Sequence, residues 1–254
     1  MEKVAEGNEL YEECRRLVKK VGVTIAIDGP AGSGKSTVSR RIADILGIGY
    51  LDTGAMYRAL TWYALETGVE LTNQAALRAL ADDMPLHMDS HPLDPHFFVG
   101  EVEVTQAIRE PRIALGIPHV STNKEVRAWM AREQRERMMQ ARSLGSGMVA
   151  EGRDITTVVC PDADVRVLLL ADSQARLRRR TLELYGDDAP EHMDVVRAQI
   201  ENRDKADSTV SEFMEAAPGV HTLDSTGLSI DAVVNEICLL VKENTEHRSL
   251  LHES

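Results

Sequence analysis

The chain has no surplus of positive charge, only three cysteines and no long apolar run. Each shortage excludes something. With 29 Lys and Arg against 41 Asp and Glu, the formal net charge is −12, which argues against a general binder of nucleic acid or of an anionic membrane. Cys14, Cys160 and Cys238 are odd in number and far apart, with no metal-like or redox spacing. Reduced thiols in a cytoplasmic protein are therefore expected. No apolar stretch reaches membrane-spanning length, and residues 1–20 are charged throughout, without the apolar centre of a signal peptide. Internal repeats and low-complexity linkers are also missing. What remains, over 254 residues, is enough chain for one sizeable α/β core with a small inserted subdomain.

The stretch Gly29-Pro30-Ala31-Gly32-Ser33-Gly34-Lys35-Ser36-Thr37 fits G-x-x-x-x-G-K-[ST] without a mismatch. The β-branched run Val23–Ile27 before it reads as a buried parallel strand, and Val38, Ile42, Ile45 and Leu46 after it fall at helical spacing. A glycine loop between such flanks turns successive N–H groups inward, towards a chain of phosphates at a helix N-terminus. Lys35 is suited to the outer phosphates and the Ser36 hydroxyl to Mg²⁺. A nucleoside triphosphate ligand is the expectation.

Further strands are expected at Ile48–Asp52, Gly147–Ala150, Asp164–Leu170 and His221–Asp224, making five with the first. Helices are expected over Asn8–Lys20, from Thr53 through Leu65, around Thr105–Ile117, over Asn123–Leu144, after Asp172, over Val195–Asp207 and over Ile230–Val241. Pro111 and Pro118 read as breaks. Between Leu86 and Val104, short strand-like pieces separated by turn residues suggest a small antiparallel insert. The spacing of His87, His91, His96, Asp89 and Asp94 suits surface turns better than a metal site. In an open parallel sheet, ligands lie beyond the carboxyl ends of the strands. Tyr57 and Arg58 are thus expected across the crevice from the glycine loop, and Glu151-Gly152-Arg153-Asp154 at the same edge. Arg176, Arg178, Arg179 and Arg180 would ordinarily be a solvated face, but in an acidic chain with a phosphate loop they suggest a phosphate-clamping lid.

The glycine loop, Leu51-Asp52-Thr53-Gly54-Ala55-Met56-Tyr57-Arg58, Glu151-Gly152-Arg153-Asp154 and Arg203-Asp204-Lys205-Ala206-Asp207-Ser208-Thr209 together resemble bacterial-type cytidylate kinase, a nucleoside monophosphate kinase family, from about Val23 to Val241. The resemblance implies an α/β P-loop NTPase fold: a five-stranded parallel sheet flanked by helices, a substrate-binding insert (84–120) and an arginine-bearing lid (173–210). It implies a kinase domain over 21–242, preceded by a helical extension (1–20) and followed by a frayed tail (243–254). It also implies transfer of the terminal phosphoryl group of ATP to CMP or dCMP, with Mg²⁺, by a cytoplasmic monomer of pyrimidine metabolism.

By position, Arg58 and Arg153 match residues that hold the acceptor phosphate, and Arg127 and Asp154 match the pair that reads cytosine. Arg203 and Asp207 match contacts on the sugar side, and Thr53 lines the same pocket. Arg176, Arg179 and Arg180 match the lid. Two departures stand out. Pro118 occupies the position of a serine near the base, so His119, Ser121 or water must substitute, and Val210 replaces an arginine that contacts phosphates. They keep open a nucleotide-binding regulator that has lost transfer, and the spacing alone also leaves open a P-loop kinase of another small acceptor.

Overall fold

In the computed structural model, residues 2–251 are described. Helix α1 (Glu2–Val21) leads into strand β1 (Val23–Asp28), the glycine loop and α2 (Lys35–Leu46). Strand β2 (Gly49–Asp52) runs directly into α3 (Thr53–Glu66), followed by α4 (Gln74–Asp83). Three short strands follow: β3 (Leu86–Met88), β4 (Phe97–Val99) and β5 (Val102–Glu103). A single 3-10 turn (Ala107–Arg109) then precedes α5 (Pro111–Ser121) and α6 (Lys124–Ser143). Strand β6 (Gly147–Gly152), a π-helical turn (Ile155–Val159) and β7 (Val165–Leu170) follow. The chain closes with α7 (Ser173–Tyr185), α8 (Pro190–Asp207), β8 (His221–Asp224) and α9 (Ile230–Leu251).

The main sheet has the order β2-β6-β1-β7-β8 and is parallel throughout. Residues alternate between its faces. Val23, Ile25 and Ile27 of the central strand pack with α1, α2 and α9, whereas Ala26 faces α3, α4 and α6. Both faces are covered, which is why β1 is buried at all six positions and is mainly apolar, with the polar Thr24 and Asp28 hydrogen-bonded to Asp164 and to the Ile155–Thr156 turn. Strands β3, β4 and β5 form a separate antiparallel sheet. There His96 spends its ring nitrogens on Glu103 and Asp94.

Several boundaries differ from expectation. The first helix begins at Glu2 rather than Asn8, and buries Cys14 and Val18 against Val234, Ile237 and Cys238 of α9. Helix α9 does not stop near Val241. It runs to Leu251, with Thr245 buried, so the segment read as a frayed tail is helical as far as it is described; residues 252–254 lie outside the described residues. Pro118 does not break its helix but sits inside α5. An internal proline costs about 3 kcal/mol. The helix approaches its neighbours closely at Gly116, where a Cβ would stand 2.7 Å from Thr61 and 2.8 Å from Leu71. Helix α4, absent from the expected elements, has a clear cap, Asn73 accepting from Ala76 N–H at 3.1 Å.

Candidate active site

The site forms along the carboxyl edge of the parallel sheet, where β1, β2 and β6 all end. The glycine loop leaves β1 at Gly29, where φ is +153° and a Cβ would stand 2.2 Å from the Leu169 carbonyl oxygen. At Gly32 φ is +75°, and a Cβ would meet the Arg176 carbonyl at 2.7 Å. Only glycine fits these two approaches. Gly34 caps α2 without any side-chain hydrogen bond, so the first N–H groups of that helix remain free for an anion. Lys35 is buried, with Nζ donating to the Pro30 carbonyl at 3.1 Å. Burial, reinforced by the nearby Arg153 charge, pulls its pKa down to about 7. Ser36 and Thr37 lie exposed at the helix start.

Asp52, the last residue of β2, caps α3 by accepting from Ala55 N–H at 2.8 Å. Its other oxygen accepts from Arg58 at 2.8 Å. Burial pushes the Asp52 carboxyl up, but Arg58 and the Ala55 N–H together outweigh it and hold the pKa low. The Thr53 hydroxyl donates to the Glu151 carbonyl at 2.6 Å, joining β2 to β6. Glu151 is buried and accepts from the Tyr50 hydroxyl at 2.8 Å.

Beyond Glu151, Asp28 anchors the turn. It accepts from Ile155 N–H (2.9 Å), Thr156 N–H (2.8 Å) and the Thr156 hydroxyl (2.7 Å). Its burial nevertheless raises its pKa to about 6. The anchored turn presents Arg153 and Asp154. Arg153 Nε donates to Asp207 at 3.0 Å and Nη1 to the Gly29 carbonyl at 2.8 Å, with the Phe213 ring 5.1 Å from the guanidinium carbon. Asp154 is ion-paired with Arg127, and burial raises its pKa despite that partner. Arg203 lies 3.8 Å from Asp207, one helical turn away on α8.

These residues share one cavity of about 990 Å³. Its walls include Ala31, Gly32, Gly34, Lys35, Ser36, Thr37, Thr53, Tyr57, Arg58, Arg127, Arg153, Asp154, Arg180, Arg203 and Asp207, the greater part of the residues singled out from sequence. Gly29, Pro30 and Ser33 form the loop's frame and do not line the cavity. Arg176 and Arg179 do not line it either. Arg176 donates to the Ala31 carbonyl at 3.0 Å and to Asp204 at 2.5 Å. Arg179 is spent on Ser225, at 2.9 Å to the hydroxyl and 2.7 Å to the carbonyl. Both arginines tie α7 to the glycine loop, Arg176 through the Ala31 carbonyl and Arg179 also through the Ser33 carbonyl at 3.4 Å.

Glu151, expected at this edge, lines the cavity too, as do Arg40, Arg41, Arg109 and Asp52, which the motifs alone do not single out. Asp52 carried a usable signal, since it is the last residue of a parallel strand. Nine Lys and Arg and seven Asp and Glu line the cavity, a local excess of cations in a chain of net charge −12.

A parallel sheet with its glycine loop after the central strand, facing arginines from α3, α6, α8 and the end of β6, defines a P-loop phosphotransferase. Residues 25–243 match the sequence model of the family described as cytidylate kinase, and the chain belongs to that family. It is 41% identical over 222 residues to the cytidylate kinase of Cutibacterium acnes, spanning 86% of this chain and 96% of that protein. It is 38% identical over 228 residues to the cytidylate kinase of Anoxybacillus flavithermus, spanning 88% and 98%. It is also 43% identical over 220 residues to part of a bifunctional pantoate ligase/cytidylate kinase of a Synechococcus species, covering 84% of this chain and 43% of that one.

Proposed function

We propose that the chain transfers the terminal phosphoryl group of ATP to CMP or dCMP, giving ADP and CDP or dCDP. The observation that carries the reading is that Lys35, Arg58, Arg127 and Arg153, from four separate segments, line one cavity. A transfer between two phosphorylated nucleotides needs their anionic tails brought into line and their charge neutralised. The attacking oxygen belongs to an acceptor phosphate that is already ionised, so no general base is required. As the new O–P bond forms, the bond from the γ-phosphorus to the β-bridging oxygen breaks and its electron pair leaves with ADP.

In this reading the loop from Gly29 to Thr37 holds the ATP phosphates, and Lys35 follows the transferred group. Arg58 and Arg153 hold the acceptor phosphate, for which planar guanidinium groups offer paired donors. Arg127 and Asp154 meet the cytosine edge, Arg203 and Asp207 the sugar side, and Thr53 and Tyr57 the wall between. Arg180 reaches the cavity from the lid, while Arg176 and Arg179 hold that lid in place. Ser36, with Asp52 and Glu151 on the same cavity, offers the hard oxygen donors that Mg²⁺ prefers. When bound, the ion supplies charge neutralisation across the triphosphate.

We read the protein as a cytoplasmic monomer acting on free nucleotides. No helix among the described residues is long and apolar enough to cross a membrane, and the three thiols are free and buried. The test is a coupled ADP-release assay with CMP, dCMP, UMP and AMP as acceptors. Release stimulated by CMP or dCMP and lost in Lys35→Ala is the expected result. Binding of ATP and CMP without transfer would instead favour a regulator.

A further inference from the structure

Of the four arginines grouped on α7, three are paired with carboxylates: Arg176 with Asp204, Arg178 with Asp188 and Arg180 with Glu183. Arg179 differs. Among the described residues it has no carboxylate partner and is held instead by Ser225, its Nη1 donating to the hydroxyl at 2.9 Å and its Nη2 to the carbonyl at 2.7 Å. Asp224, the residue before Ser225, accepts from the Thr226 N–H and hydroxyl. Ser225 is 3% exposed and fixed to the main sheet. One residue past β8, its N–H donates at 2.8 Å to the carbonyl of Leu170, the last residue of β7. Its hydroxyl lies 3.0 Å from that same carbonyl and 3.1 Å from the Ser33 carbonyl in the glycine loop. This grip sets Arg179 against the loop. Its Nη1 is 3.4 Å from the Ser33 carbonyl, and a Cβ on Gly34 would stand 3.9 Å from it. Gly34 in turn caps α2 and lines the cavity.

We infer that Ser225 is a positioning residue for the transfer, holding the Arg179 guanidinium beside the phosphate loop without cancelling its charge. This rests on the ATP-binding half of the kinase reading. A carboxylate could fix an arginine as firmly, but it would also neutralise it. A hydroxyl and a carbonyl accept the same N–H bonds as neutral dipoles, so the full positive charge survives. Two donors of one planar group engaged by one residue also set the orientation of the guanidinium. The surviving charge acts at Gly34, where the free N–H groups of α2 already favour an anion. Because Ser225 is anchored through β7, the sheet and not α7 alone determines where that charge sits.

The test is a double-mutant cycle on Ser225→Ala and Arg179→Met, read by calorimetric ATP affinity and steady-state kinetics. Ser225→Ala is expected to weaken ATP binding roughly three- to tenfold, the effect of one hydrogen bond, and to raise the KM for ATP with the KM for CMP unchanged. In the Arg179→Met background the same substitution should change ATP affinity by less than about twofold, because the hydroxyl acts through the arginine. Ser225→Cys, which keeps the volume but accepts weakly, should fall between wild type and the alanine variant. Losses at the two positions that simply add, or a KM for CMP raised as much as that for ATP, would reduce Ser225 to a structural residue and overturn the inference alone. Wild type that binds no ATP would overturn the nucleotide reading itself, and this contact with it, before any variant is compared.

Discussion

Arg153 donates from Nε to Asp207 at 3.0 Å across 54 residues of sequence, while its Nη1 reaches the Gly29 carbonyl at 2.8 Å. One guanidinium thus ties the end of β6 to the glycine loop and to α8. Lysine would keep the charge but could not serve these partners and a phosphate together. Arg153→Lys should lower kcat on the order of a hundredfold with the KM for ATP little changed. Stopped-time ADP assays under saturating CMP would show it, and a kcat equal to wild type would remove Arg153 from the chemistry.

Lys35 makes a prediction about protons. Its pKa in the folded protein, about 7, lies below its ordinary 10.5, chiefly through burial. Between those values the unfolded state binds more protons, so this residue's contribution to stability rises with pH across that window. The triphosphate should reverse the shift by pairing with the ammonium group. ATP binding at about pH 8 should therefore take up part of a proton, and at about pH 6 almost none. Calorimetry in buffers of different ionisation enthalpy measures the uptake, which Lys35→Met should abolish. Uptake that ignores pH would contradict the burial argument.

Base discrimination should reside in Asp154. Its carboxylate, held by Arg127, can accept from an exocyclic amine but would face the oxygen of uracil. Asp154→Asn can present either an oxygen or an amide N–H, so the ratio of kcat/KM for CMP over UMP should shrink about tenfold or more. An unchanged ratio would move base reading elsewhere in the cavity.

Helix α8 is tied to the glycine loop through Asp204. Asp204 accepts from Ala31 N–H at 3.0 Å and from Arg176 at 2.5 Å, and Arg176 returns to the Ala31 carbonyl at 3.0 Å. Asp204→Ala frees a loop N–H and an arginine together. We expect the KM for ATP to rise about tenfold, the size of a lost charged hydrogen bond, and amide exchange at Ala31 to accelerate in the ligand-free protein. Normal exchange at Ala31 would mean that the fastening is incidental.

The glycine loop, the five parallel strands and the small antiparallel sheet were legible because each is written locally, as a fixed spacing, an apolar run or a cluster of turn residues. Whole-element packing was not. Pro118 sits inside α5, which packs closely at Gly116 on Thr61 and Leu71, and α9 continues past Val241 with Thr245 buried. Neither neighbour can be read from the helix's own residues.

The chain's local chemistry was enough to determine a phosphate loop and a set of arginines able to meet nucleotide phosphates. Which arginines line the cavity was decided only by tertiary structure. Arg180 faces the cavity, while Arg179, one residue earlier, turns to Ser225, since adjacent helical residues point about 100° apart. Asp207 likewise meets Arg153 only because α8 packs against the end of β6. The physical reason is the same in both cases: a side chain's type is covalent, but its direction and its partner depend on how distant elements pack.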